Sequence, residues 1–260
     1  KAMSTITKRH QAIIDLLRQE GGRLSVRALS ERLGVSAVTI RHDLRSLEAE
    51  HILERVYGGA ILRARAPMMV ELSFEVRQAE ARKEKAALGR FAAQLVRDGY
   101  GIAMDGSTSV YALVPHLKQL NNLTIVTNSL MVAQSFRDTP RIKVLIPAGR
   151  IRGESATIVG EPDSLPHINL NLGFFGAWGV SLDGGISDVD PDEVVMRQAM
   201  IRRCMKTVIV IDSRKWGETA PYTYAQPRDV SRIISTNGAS PEIVEQYRAL
   251  GVEIDLVPVP

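Results

Sequence analysis

The chain is poor in cysteine: its 260 residues hold a single one, Cys204, which excludes an intramolecular disulfide. A reducing compartment is expected, since oxidised, secreted domains of modest size lean on such bridges. Apolar runs of the roughly 20 residues that span a bilayer are missing. The first residues also lack the apolar core of a signal peptide, so a cytoplasmic protein is the expectation. The five histidines, at 10, 42, 51, 116 and 167, are scattered, and with one cysteine they build no metal-ligand spacing. No metal or cofactor is therefore expected. Neither an internal repeat nor a low-complexity tract is present, and 45% hydrophobic with 24% charged residues is ordinary for a globular chain.

What is present begins with charge that is unevenly spread. Residues 1–66 carry 12 Lys and Arg against 7 Asp and Glu, whereas residues 67–260 carry 21 against 22. The basic excess thus lies wholly at one end, as a module that meets phosphate requires. That end has a helical pattern. A first helix is predicted over Thr7–Gln19, with Ile13, Ile14, Leu16 and Leu17 at helical spacing and Gly21-Gly22 ending it. Ser25 is placed to cap a second helix whose buried stripe is Ala28, Leu29 and Leu33. Gly34 suits a tight turn, Val35 plugs the corner, and Ser36 caps a third helix with Ile40, Leu44 and Leu47 inward. Thr39, Arg41, His42 and Arg45 then face outward, which is the chemistry of a helix-turn-helix that reads double-stranded DNA. Two short runs around Gly58-Gly59 predict a wing, with Arg55 and Tyr57 near the DNA backbone.

Residues 63–80, starting with Arg63 and Arg65 and passing Pro67, read as a linker between a domain over 1–62 and another over 81–260, with part of it expected to become helix leading into the second domain. Beyond it, short apolar runs alternate with helical stretches: Ile102–Met104, Leu123–Val126, Lys143–Ile146, Leu172–Phe175, Thr207–Ile211, Arg232–Ser235 and Val252–Leu256. This alternation predicts an α/β domain with a mainly parallel sheet. Ligands of such sheets bind beyond the carboxyl ends of the strands. Five polar clusters stand there: Asp105-Gly-Ser107-Thr108-Ser109, Thr127-Asn128-Ser129, Pro147-Ala-Gly149-Arg150 with Arg152, Gly179 through Asp183 to Glu193, and Asp212-Ser-Arg-Lys215. Hydroxyls and N–H groups at a helix start cradle phosphate, Arg grips it bidentately and Lys supplies a point charge. Each cluster also reads as an ordinary helix cap or surface charge. Their recurrence after successive strands favours one shared small-molecule site. Phe174, Phe175 and Cys204 read as packing, with Cys204 on a helix; Trp178 and Trp216 fit a lid or packing equally.

Arg9-His10, Leu33-Gly-Val-Ser36, Thr39-Ile-Arg41, Asp43-Leu44, Leu47-Glu48 and Gly58-Gly-Ala60 resemble the DeoR-type family of bacterial transcriptional regulators. So do Asp105 with its hydroxyls, Thr127-Asn128, Gly149, Glu193 and Asp212-Ser-x-Lys215, and the resemblance covers nearly the whole chain. It implies a winged helix-turn-helix joined to a sugar-phosphate-sensing domain with the ribose-phosphate isomerase and CoA-transferase sheet fold. It also implies a homodimeric or homotetrameric repressor of a carbohydrate operon, released by a phosphorylated sugar or related metabolite, without catalysis or membrane contact. The chain departs from the family at four positions. His42 stands in place of a second Arg, His51 in place of a Gly before the wing, Ser107 and Ala148 in place of glycines. The alternative reading is an isomerase-like enzyme, for which Asp105, Asp183, Glu193 and Lys215 offer acid, base and cation. A nucleoid-type DNA binder without ligand is the third reading.

Overall fold

The computed structural model describes residues 2–20, 23–49, 52–62, 73–153 and 155–259; Gly21, Gly22, His51, Arg63, Arg65 and Pro67 lie outside them. The chain divides into two compact units, Lys1–Val76 and Arg77–Pro260.

The first unit runs α1 (Ala2–Gln19), β1 (Arg23–Ser25), α2 (Val26–Leu33), α3 (Ala37–Ala49), β2 (Leu53–Val56) and β3 (Gly59–Leu62). Helix α1 begins five residues before the expected Thr7; no Gly or Pro in that stretch interrupts it. Ile13, Ile14, Leu17, Leu29, Ile40, Leu44 and Leu47 are at most 1% exposed and form one core. Burying each such side chain contributes ~1.5–3 kcal/mol before entropy is counted. In α2, Val26 and Leu29 carry the burial while Ala28 and Leu33 are half-buried. The helix starts at Val26, and its inward stripe turns accordingly. Strands β2 and β3 pair antiparallel as the expected wing hairpin. A third strand, β1, pairs with β3; at three residues it is too short to show a period in sequence.

Part of the expected linker is helical: α4 (Phe74–Ala79) buries Phe74 and Val76. It leads into α5 (Arg82–Ala93). There follow β4 (Gly101–Met104), α6 (Thr108–Tyr111), α7 (Val114–Leu117), β5 (Leu123–Thr127), α8 (Leu130–Ser135), β6 (Ile142–Leu145), β7 (Arg150–Arg152), β8 (Thr157–Val159), β9 (Leu170–Phe175), β10 (Gly179–Ser181), β11 (Gly185–Asp188), α9 (Pro191–Ile201), β12 (Cys204–Ile211), β13 (Tyr222–Ala225), β14 (Arg232–Thr236), α10 (Pro241–Ala249) and β15 (Glu253–Val257).

The seven apolar runs identified in the sequence form one sheet of order β15-β14-β12-β9-β4-β5-β6. Every neighbouring pair is parallel. The strands are apolar on both sides because both faces are covered. Ala103 and Phe175 face one buried cluster, Ile102, Met104 and Phe174 the other. Cys204 is the first residue of β12, paired with Leu170, and not helical as expected. Helix α9 has already ended at Ile201, and the chain must straighten to enter the sheet. From β4 the chain moves outward through β5 and β6, then returns to the other flank of β4 as β9 and continues to β12, β14 and β15. The strand order therefore reverses between β4 and β9, and this opens a crevice beyond their carboxyl ends.

Candidate DNA interface and effector site

Helix α3 has two unlike faces. Ile40, Leu44 and Leu47 are buried, whereas Arg41, His42 and Arg45 are exposed. Ser36 starts it, accepting from the Thr39 N–H at 3.2 Å, and the two hydroxyls lie 2.9 Å apart. Gly34, at φ +62°, closes α2 with its N–H on the Ser30 carbonyl. Asp43 is fully buried and fixes α1 to α3: Arg9 reaches it through Nε at 2.5 Å and Nη2 at 2.9 Å. The Arg9–Asp43 pair is thus a strut behind the exposed face. Tyr57 at the wing tip is fully exposed. Arg55 is not a free cation: its Nε donates to Glu48 Oε2 at 2.6 Å and its backbone N–H to Oε1 at 3.0 Å. It ties the wing to α3 rather than reaching outward. Arg27, Ser30, Arg41, Arg55 and Tyr57 line a groove of about 630 Å³ on this face.

In the second unit, Asp105 follows β4 directly and sits fully buried at the reversal point. Its Oδ1 accepts from the Ser107 N–H at 3.0 Å; its Oδ2 accepts from the Gly176 N–H after β9 at 3.0 Å and from Arg197 Nε at 2.8 Å. One carboxylate therefore joins the two strand ends. Burial pushes it up, against the pull of Arg197 and the two N–H groups. Arg197, on α9, also meets Asp188 through Nη1 at 2.6 Å and Glu193 through Nη2 at 3.3 Å, and lies 5.4 Å from the Tyr224 ring. Glu193 accepts from Thr157 Oγ1 at 2.9 Å and Arg152 Nη1 at 3.1 Å. Burial raises this carboxyl, but Arg197, the Ser155 and Thr157 hydroxyls and Arg152 outweigh it and hold it below the ordinary Glu value. Arg152 further pairs with Asp190 at 2.9 Å.

Around that buried network lie the groups able to meet a ligand. Gly106 packs so close to Thr157 that a Cβ there would stand 2.2 Å from its methyl. Ser107 spends its hydroxyl on the Val110 N–H at 3.2 Å. Helix α6 has only four residues, so its dipole is small and the cradle reduces to the loop N–H groups and the buried Thr108 and Ser109. Asn128, after β5, is 1% exposed, and its Oδ1 has no hydrogen-bond partner among the described residues. Across the crevice, Lys215 ends the 3-10 turn after β12 with its ammonium 5.3 Å from the Trp178 ring. Asp212 is committed to Arg214, at 2.9 and 3.2 Å. Burial lowers the Lys215 ammonium, with Asp212 offsetting part of it.

The structure thus joins Asp105 and Glu193 through Arg197 and adds Arg152 through Glu193, sets Ser107, Thr108, Ser109 and Asn128 at neighbouring strand ends, and leaves two expected residues aside. Asp183 is exposed in the β10–β11 turn, because Gly184-Gly185 makes a hairpin there and not a strand-end loop. Asp188, at the end of β11, is the acid that meets Arg197. Gly149 lines an open groove of about 780 Å³ with Arg150, Glu161 and Asp192. Trp216 is core, donating to Ser235 Oγ at 2.8 Å and standing edge-on to Tyr247. The Cys204 thiol is pushed up to about 12 by burial and is inert packing. Arg197 and Lys85 are additions. Lys85 is buried in the first turn of α5, pushed down to about 8 by burial, and feels the charges of Asp212 and Lys215. The available signal was a charge on a helix's inward stripe: Lys85 with Leu88 and Ala92, Arg197 with Met196 and Met200.

Comparison with known proteins places both units. The DeoR-like helix-turn-helix domain matches residues 9–65, and the DeoR C-terminal sensor domain matches residues 80–237. The putative aga operon transcriptional repressor of Escherichia coli O157:H7 is 28% identical over 259 residues, covering 99% of this chain and 96% of that one. The glycerol-3-phosphate regulon repressor of Escherichia coli strain K12 is 31% identical over 216 residues, covering 82% and 84%. Among solved structures, ribose 5-phosphate isomerase from Plasmodium falciparum aligns over 51% of this chain and 53% of its own at 11% identity, with a TM-score of 0.38.

Proposed function

The chain belongs to the DeoR family of bacterial transcriptional regulators, and from that premise we propose that it represses a carbohydrate operon and is released by a phosphorylated sugar. In this reading α3 enters the major groove of a double-stranded operator, with Ser36, Thr39, Arg41, His42 and Arg45 facing the DNA and Tyr57 at its backbone. Two or four copies act together and set the half-site spacing. The observation that carries the reading is the strand-order reversal at Asp105. The acids there are engaged by Arg197, while among the described residues the Lys215 ammonium makes no hydrogen bond and the Asn128 Oδ1 has no partner. A phosphate would take Lys215 and a sugar hydroxyl would donate to Asn128. Proton transfer would instead need a free base, and Asp105 and Glu193 are both held by Arg197 and by hydroxyl or N–H donors.

The effector acts only if it binds the DNA-competent and incompetent arrangements unequally. A gel shift on the DNA upstream of the protein's own gene, titrated with sugar phosphates including glycerol 3-phosphate, tests this. Retardation without additive and release by a phosphorylated sugar but not by its free sugar is the expected result. Arg41→Ala should weaken operator binding by ~1–3 kcal/mol. Unchanged affinity on that substitution, or no retardation at all, counts against the reading.

A further inference from the structure

Lys85 is buried where α5 meets α4. Its ammonium donates to the backbone carbonyl of Arg77 in α4, which bridges the corner between α4 and α5. The corner residue, Ala81, sits at φ +48°, the left-handed region that a residue with a Cβ enters only under constraint. Helix α4 is also where the chain passes from one compact unit to the other, between Val76 and Arg77. Helix α5 packs against β12, the strand that runs directly into Asp212 and Lys215, and Lys85 lies within the field of Asp212, Glu80, Lys215 and Arg214. Asp212 is already paired with Arg214, and the two lysine charges repel each other. An anion arriving beside Lys215 therefore competes with a neutral carbonyl for a desolvated ammonium, and a charged acceptor wins that competition.

We propose that Lys85 couples the effector site to the interdomain helix: the anionic group of a ligand seated beside Lys215 draws its ammonium off the Arg77 carbonyl, and the strained corner at Ala81 opens. This rests on the effector reading above. It adds the residue through which occupancy reaches α4, and it requires the ligand to carry a phosphate or an equally compact anion. The free sugar would bind without switching.

Hydrogen exchange on the full chain tests it, with glycerol 3-phosphate, ribose 5-phosphate and inorganic phosphate as probes and the melting temperature as the measure of binding. Lys85→Met without additive should speed exchange at residues 78–82 about tenfold and leave 105–112 unchanged, while Lys85→Arg stays near wild type. In wild type, a probe that raises the melting temperature should protect 105–112 and at the same time speed 78–82. In Lys85→Met it should leave 78–82 as they are. A probe that binds wild type yet slows 78–82, or leaves them unchanged, overturns the coupling alone, as does wild-type exchange at 78–82 in Lys85→Met. A wild-type protein that binds none of the probes overturns the effector reading itself, and the coupling with it. The wild-type arm decides the matter even if Lys85→Met does not fold.

Discussion

Arg197 and Lys85 are both buried cations, yet their surroundings give them opposite energetics. Arg197 meets three carboxylates and stays charged. Lys85 has a carbonyl, and burial lowers it from 10.5 to about 8. Between those pH values the unfolded chain holds a proton that the folded protein has released, so stability rises with pH across that window. Below about 8 both states hold the proton and the fold bears the whole cost, at most ~3 kcal/mol and less where solvent reaches the group. Urea unfolding of wild type and Lys85→Met at about pH 7 and about pH 10 should show wild type gaining on the variant as pH rises; parallel changes in the two proteins would remove the assignment. Neither cation stood out in the sequence. Asp105, Asn128, Glu193 and Lys215 were legible because each follows a strand or opens a helix, where polar residues are diagnostic. Arg197 and Lys85 sit on the inward stripes of helices, where a charge in the sequence is ordinarily read as surface. Asp183 failed the other way: it has the right chemistry, but the Gly184-Gly185 hairpin carries it out of the cluster.

Elements obey the same physics at longer range. The seven parallel strands were legible because burial on both faces leaves them nearly continuous apolar runs. Strands β1, β10, β11 and β13, of three or four residues, are too short for a period to register. Helix α4 is the helix expected at the end of the linker, but its bounds were not legible, since six residues show less than two turns of pattern. The turns offer a paired test of backbone conformation. Gly34 and Ala81 both occupy the left-handed region, at φ +62° and +48°. A Cβ on Gly34 would meet nothing within 4 Å, so its substitution probes the conformation without a steric term. Gly34→Ala should cost ~1 kcal/mol and Ala81→Gly should return a similar amount by relieving the corner. Thermal unfolding of the two variants checks the signs, and a stabilised Gly34→Ala would contradict the backbone assignment.

At the scale of the molecule, the charge is divided between the two tasks. Residues 1–66 carry 12 basic against 7 acidic side chains, and the sensor stretch is close to neutral at 21 against 22. Salt dependence of operator binding should therefore come from the first unit. Arg41 and Arg45 are the exposed cations of α3, while Arg55 is held by Glu48 at 2.6 Å. In the proposed two-copy complex, the two recognition helices on one operator neutralise on the order of 4–6 phosphates, and log K should fall against log salt with a slope of about −4 to −5. Removing Arg45 from both copies should take about 2 off that slope, since each lost contact accounts for about 0.9. Arg55→Ala should change it little, because that charge is already spent inside the protein. Lys215→Met should leave it untouched while abolishing release by the effector. Titrations by fluorescence anisotropy between low and physiological salt separate these cases. A slope that answers to Arg55 as strongly as to Arg45 would mean the Glu48 pair opens on DNA, and the wing would then be a phosphate clamp rather than a strut.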